Sequence, residues 1–91
     1  MVSEPLHFNW SDDKNKLLKE KRGVSFDEVV LNILSGCVLD VIDNPNYPGQ
    51  RKYVIHMRNY VWIVPFIQED SNVFLKTVYP DRKATRDYLG P

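Results

Sequence analysis

Apolar and polar positions change period three times along the chain. Phe8 and Trp10 alternate with polar neighbours between Leu6 and Trp10, which is strand spacing. Ser11-Asp12-Asp13 then offers an N-cap and acidic first-turn residues, predicting a helix to about Lys21 that Gly23 ends. A second helix opens at 25-SFDE-28, a capping box in which Ser25 accepts from the Glu28 amide and the Glu28 carboxylate returns to the Ser25 amide. Val24 and Val29 can form the accompanying staple. Phe26, Val29, Val30, Ile33 and Leu34 recur at helical spacing before Ser35-Gly36 stops the run. That apolar face requires a sheet to cover.

From residue 38 the period shortens to two. Val38 to Asp43 predicts a short β-branched strand, 44-NPNYPG-49 a loop of turn formers, and 52-KYVIHMR-58, 60-YVWIVPFI-67 and 72-NVFLKTVY-79 a three-strand meander. The short links Asn59-Tyr60 and 68-QEDS-71 make neighbouring strands antiparallel. With Arg58 and Val61 flanking the first turn and Ile67 and Asn72 the second, one face carries Tyr53, Ile55, Met57, Trp62, Val64, Phe66, Val73 and Leu75. That face is the expected core. The opposite face takes Val54, His56, Arg58, Val61, Ile63, Pro65, Phe74, Lys76 and Val78, with His56, Ile63 and Lys76 in one cross-strand row. Pro80 suits a first helical turn, and Ala84 and Tyr88 lie one turn apart, so 81-DRKATRDYL-89 predicts a short terminal helix before Gly90-Pro91. The expected class is therefore α+β: two N-terminal helices packed on one face of an antiparallel sheet, with a short C-terminal helix.

Composition bounds this picture without altering it. Ninety-one residues at 43% hydrophobic content suit one domain over 1–91. Cys37 alone allows no internal disulfide, and MVSEPLHF has neither the basic region nor the apolar segment of a secretory leader, so a cytoplasmic location is expected. The longest apolar run, 61-VWIVPFI-67, is too short to span a bilayer and contains proline, so no membrane partner is expected. Charge changes the picture more. Residues 1–50 hold five Lys/Arg against eight Asp/Glu and residues 51–91 hold seven against four, so a polyanion would prefer the second half.

The chemistry must come from that half. No glycine-rich phosphate loop, G-x-S-x-G or cysteine pair is present, and His7 and His56 are far apart, so neither a metal nor a cofactor is expected. Cys37, with no activating neighbour, reads as a small residue at a strand start. What remains is His56, Arg58, Lys76, Arg82, Lys83 and Arg86, with Tyr79 and Tyr88 nearby. Guanidinium forks bind phosphate oxygens in pairs, and aromatic faces stack on unpaired bases. Metal-free RNA cleavage needs a proton acceptor for the 2′-hydroxyl, a donor for the leaving oxygen and fixed positive charge. His, Lys, Arg and Tyr can fill those roles. Local sequence alone favours the simpler reading, a solvated helix whose cations pair with Asp81 and Asp87.

The whole chain adds a further signal. F-x-W-x-x-x-K-N at 8–15, R-G-V-S-F-D-E at 22–28, a β meander and R-K-A-T-R at 82–86 together resemble the BrnT-type toxin family, from Phe8 to Tyr88. The resemblance implies a small cytosolic ribonuclease toxin of a type II toxin–antitoxin module with a RelE-like fold. It implies an RNA substrate and a cognate DNA-binding antitoxin as partners, and leaves a homodimer open. Arg82, Lys83 and Arg86 carry over by motif; His56, Arg58, Lys76 and Tyr88 match the basic and aromatic residues that such toxins place on the open sheet face and C-terminal segment. Two features depart from the pattern: Asp81 directly before the basic motif, and the loop 44-NPNYPGQ-50. A catalytically silent docking module with the same fold is the alternative, favoured by apolar Val54, Ile63, Phe74 and Val78 on the outward face. A stand-alone nucleic-acid binder is a third.

Overall fold

The computed structural model describes residues 5–90; Met1 to Glu4 of the leader reading and Pro91 of the terminal stop lie outside them. The elements are β1 (His7–Asn9), α1 (Asp12–Arg22), α2 (Phe26–Leu34), β2 (Val38–Asp43), β3 (Arg51–Met57), β4 (Tyr60–Glu69), β5 (Asn72–Leu75), β6 (Tyr79–Pro80) and α3 (Arg82–Leu89). The strands run β1-β5-β4-β3-β2 across one sheet, with β6 pairing β4. The fold is α+β, as expected. The sheet is mixed rather than wholly antiparallel, because β1 lies parallel to β5.

Caps explain where the helices start and stop. Ser11 accepts from the Lys14 amide at 3.3 Å, and α1 ends on Gly23, whose φ of 67° is a left-handed conformation that suits glycine. Ser25 accepts from the Glu28 amide at 3.2 Å, which is half of the expected capping box. The other half does not form. The Glu28 carboxylate instead accepts from Arg58 Nε and Nη2, both at 2.7 Å. Asn15, on α1, joins the two helices: its buried Oδ1 accepts from the Phe26 amide at 2.8 Å and so satisfies one of the donors that a helix start leaves over.

Both N-terminal helices cover the face expected to be the core. Leu18, Val24, Phe26 and Val29 pack with Tyr53, Ile55, Met57, Trp62, Val64, Phe66, Val73 and Leu75 in one buried cluster. Phe26 stacks on Trp10 with centroids 5.7 Å apart, and Tyr53 stacks on Phe66 at 4.1 Å.

The register differs from expectation by two residues at each turn. Met57 pairs with Tyr60, so the β3–β4 turn is Arg58-Asn59, with φ of 56° and 58° at its centre, the signature of a type I′ hairpin. Glu69 pairs with Asn72, so the β4–β5 turn is Asp70-Ser71. A slip of two keeps every side chain on its face and changes only its cross-strand neighbour. His56 therefore faces Val61 rather than Ile63, and Lys76 bonds to Pro65 through its amide at 2.8 Å rather than lying beside Ile63.

After Leu75 the parity breaks. Phe66 pairs with Leu75, but Ile63 pairs with Tyr79 and Trp62 with Pro80, one residue out of phase. That single step moves Val78 from its expected outward position into the helix-side core, where it is fully buried. Tyr79 takes the outward place. There α3 packs on the sheet: Val54, Val61 and Ile63 form a second small core with Tyr79 and Ala84. The face expected to be open is thus half covered.

Candidate nucleic-acid interface

Asp81, the acidic residue that interrupts the basic C-terminal segment, caps α3. Its Oδ1 accepts from the Ala84 amide at 2.8 Å, and its own amide donates to the Val61 carbonyl at 3.0 Å. Thr85 completes the seat by accepting from the Val61 amide at 2.9 Å. From there α3 crosses the outer face toward β2, where the Tyr88 hydroxyl donates to Asp40 Oδ2 at 2.9 Å. Asp81 therefore positions the helix rather than pairing with Arg82 or Arg86.

The Tyr88 contact has a pH signature. Its hydrogen bond to Asp40, then partial burial, then the charges of Asp40 and Asp87 hold the phenol pKa above its ordinary value. Since the folded value is the higher one, the contact is intact below about pH 10 and is lost as pH rises through the raised value. Asp40→Asn is expected to return the Tyr88 titration toward about 10, measured from the ring resonances of Tyr88. An unmoved titration would show that Asp40 does not hold the phenol.

The six cationic residues singled out in the sequence do not converge. Arg58 sits in the β3–β4 turn rather than on the outward face, and Nη2 also donates to the Gly23 carbonyl at 2.9 Å, so its guanidinium ties the hairpin to the α2 start. Its pKa is raised, first by the hydrogen bonds it donates to Glu28. His56 is half-buried on the outer face, opposite Val61. Lys76 is aligned with Pro65, four residues further along β4, which is roughly 13 Å at strand rise. Lys83 pairs with Asp87 at 3.2 Å, one turn along α3. Arg82 and Arg86 are exposed and make no ion pair among the described residues. Helical spacing sets them on a different stripe from Lys83 and Asp87.

What the tertiary structure does gather is a different set. On the outer face Pro65 pairs with Lys52, so Lys52, Pro65 and Lys76 share one row. Beside that row lies a groove of ≈ 510 Å³ with Asn46, Tyr47 and Gln50 from the 44–50 loop on one wall and Lys52, Lys76 and Tyr79 on the other. Among the described residues no acidic side chain lines it. A second groove of ≈ 200 Å³ meets it at Lys52 and Tyr79 and continues to Lys83, Asp87 and Tyr88 on α3. The Lys76 ammonium also lies 5.5 Å from the centre of the Phe74 ring. Lys52 had a legible signal: strand parity puts residue 52 on the same face as Val54 and His56.

Among the described residues no group of three or more His, Cys, Asp or Glu side chains is placed to hold a metal. No helix there is long and apolar enough to cross a membrane. The chain matches no protein-family model and no curated protein.

Proposed function

We propose that the chain is the toxin of a type II toxin–antitoxin module and a metal-independent endoribonuclease, with the outer sheet face as its RNA-binding surface. One observation carries the proposal: Lys52, Lys76 and Tyr79 line a groove in which, among the described residues, no acidic side chain takes part. The motif order that resembles the BrnT-type toxins supports the toxin reading independently.

In such a site the 2′-oxygen attacks the adjacent phosphorus as its proton leaves, and the 5′-oxygen departs with a proton, giving a 2′,3′-cyclic phosphate. The ammonium group of Lys52 or of Lys76 offsets the charge on the crowded phosphorane, while the other holds a neighbouring phosphate. The Tyr79 hydroxyl can donate to the leaving oxygen. His56 lies roughly 13 Å from the Lys76 row, too far to take the 2′-hydroxyl proton there, so that proton passes to solvent water in the open groove.

The silent docking module keeps one observation in its favour, the spread of the cationic residues over separate parts of the surface. Its original support has shrunk, since Val54 and Ile63 lie under α3 and Val78 is in the core, which leaves Phe74, with Ile67 beside it, exposed on that face. Expressing the protein alone and mapping the 5′ ends of cellular RNA separates the two. New ends together with growth arrest are expected. Growth without new ends would overturn the ribonuclease reading.

A further inference from the structure

We infer that the 44–50 loop is a nucleobase-reading wall: one unpaired RNA nucleotide stacks on Tyr47 and meets the side-chain amides of Asn46 and Gln50, while Lys52 and Lys76 hold its flanking phosphates. This rests on the RNA reading of the same face and adds the element that gives it base preference.

The loop is built rather than loose. Asn44 is buried, its Oδ1 accepts from the Asn46 amide at 3.2 Å, and its amide donates to the Gln50 carbonyl at 3.1 Å. Two further backbone bonds, Tyr47 to Asn44 at 3.2 Å and Gln50 to Tyr47 at 3.0 Å, close the turns. These bonds use the loop's backbone and the Asn44 side chain, and none engages the polar side-chain atoms of Asn46, Tyr47 or Gln50. Tyr47 is 60% exposed, an aromatic face presented to solvent by a preorganised turn.

The groove's size and chemistry select the ligand. A volume of ≈ 510 Å³ lies within the range of sites that take a nucleotide-sized molecule. An acidic peptide would use the two lysines and could pair with the two amides, but it offers no base to stack on Tyr47. An unpaired nucleotide uses all of them: anionic backbone, aromatic face and an edge with donors and acceptors. Lys52 and Lys76 lie two strands apart, roughly 10 Å between backbones, so they straddle the ligand rather than chelate one phosphate.

The test uses the full chain and a set of short single-stranded RNA oligonucleotides that differ at one central base, read by fluorescence anisotropy across a salt series. Tyr47→Ala is expected to weaken the preferred oligonucleotide about tenfold, and Gln50→Ala to flatten the base preference, both with an unchanged salt slope. Wild-type binding that neither substitution alters would overturn the base-reading wall and leave the RNA reading standing. Wild-type protein that binds no RNA, or binds only an acidic peptide, would overturn both. Equal binding of the matched DNA strand would overturn the assignment to RNA. Tyr47 is exposed, and unchanged circular dichroism and Tm in Tyr47→Ala confirm that binding is what has been measured.

Discussion

Alanine at both Lys52 and Lys76 is expected to lower single-stranded RNA affinity by roughly a hundredfold, on the order of tenfold for each charge-assisted contact to phosphate. The salt dependence should fall with it, by about 0.7 in logarithmic slope per lost phosphate contact on a single strand, or about 1.4 for the pair. Growth arrest on induction should be relieved in the same variant. The Arg82→Ala and Arg86→Ala pair removes equal charge from a stripe of α3 that lines neither groove, so its effect on affinity should be smaller. Anisotropy titrations at several salt concentrations decide between them. If the arginine pair costs more than the lysine pair, the RNA does not lie in the groove beside the 44–50 loop. Neither double substitution should unfold the chain, because none of the four side chains belongs to either core cluster.

Phe26→Ala should produce the largest loss of stability, about 3–5 kcal/mol. Phe26 has no exposed surface, stacks on Trp10, and begins α2 where its amide meets the Asn15 carboxamide. A domain of this size has about 5–15 kcal/mol in total, so the loss is a large fraction and should lower Tm by on the order of 20 °C. Leu31→Ala, on the same helix but 66% exposed, should change stability by no more than about 0.5 kcal/mol. Thermal melts by circular dichroism measure both. Similar Tm values for the two variants would place Phe26 outside the core.

These two expectations come from different levels of organisation. The importance of Phe26 is legible in the linear pattern, because apolar residues at helical spacing behind a Ser25 cap can bury only one face. The sheet faces were legible for a related reason. Side chains alternate with period two, so a register that slips by two residues at the Arg58-Asn59 and Asp70-Ser71 turns still sends Tyr53, Ile55 and Met57 inward. Caps are equally local: Ser11, Ser25 and Gly23 act within a few residues of themselves, and each terminates or starts its helix as the sequence predicts.

The site was less legible, because its groove is assembled from segments distant in sequence. Arg58 reads as one more outward cation until the fold brings Glu28 within 2.7 Å of it, and the carboxylate then binds the guanidinium in place of its capping-box partner. Asp81 reads as a flaw in a basic segment, yet its cap is as local as those of Ser11 and Ser25: its Oδ1 accepts from the Ala84 amide three residues on, and only the bond from its amide to the Val61 carbonyl needed the tertiary fold.

By itself, the sequence determined the order and type of the main elements, the Ser11, Gly23 and Ser25 caps of the first two helices and the inward face of the meander, since these depend on periodicity and on interactions within a turn or two of the chain. Tertiary structure alone decided the one-residue step between Leu75 and Tyr79 that buries Val78, the seating of α3 on Val54, Val61 and Ile63, and the meeting of the 44–50 loop with Lys52 and Lys76. The reason is that these outcomes are settled by competition for burial and hydrogen bonds between segments tens of residues apart, and local spacing carries no record of which competitor wins.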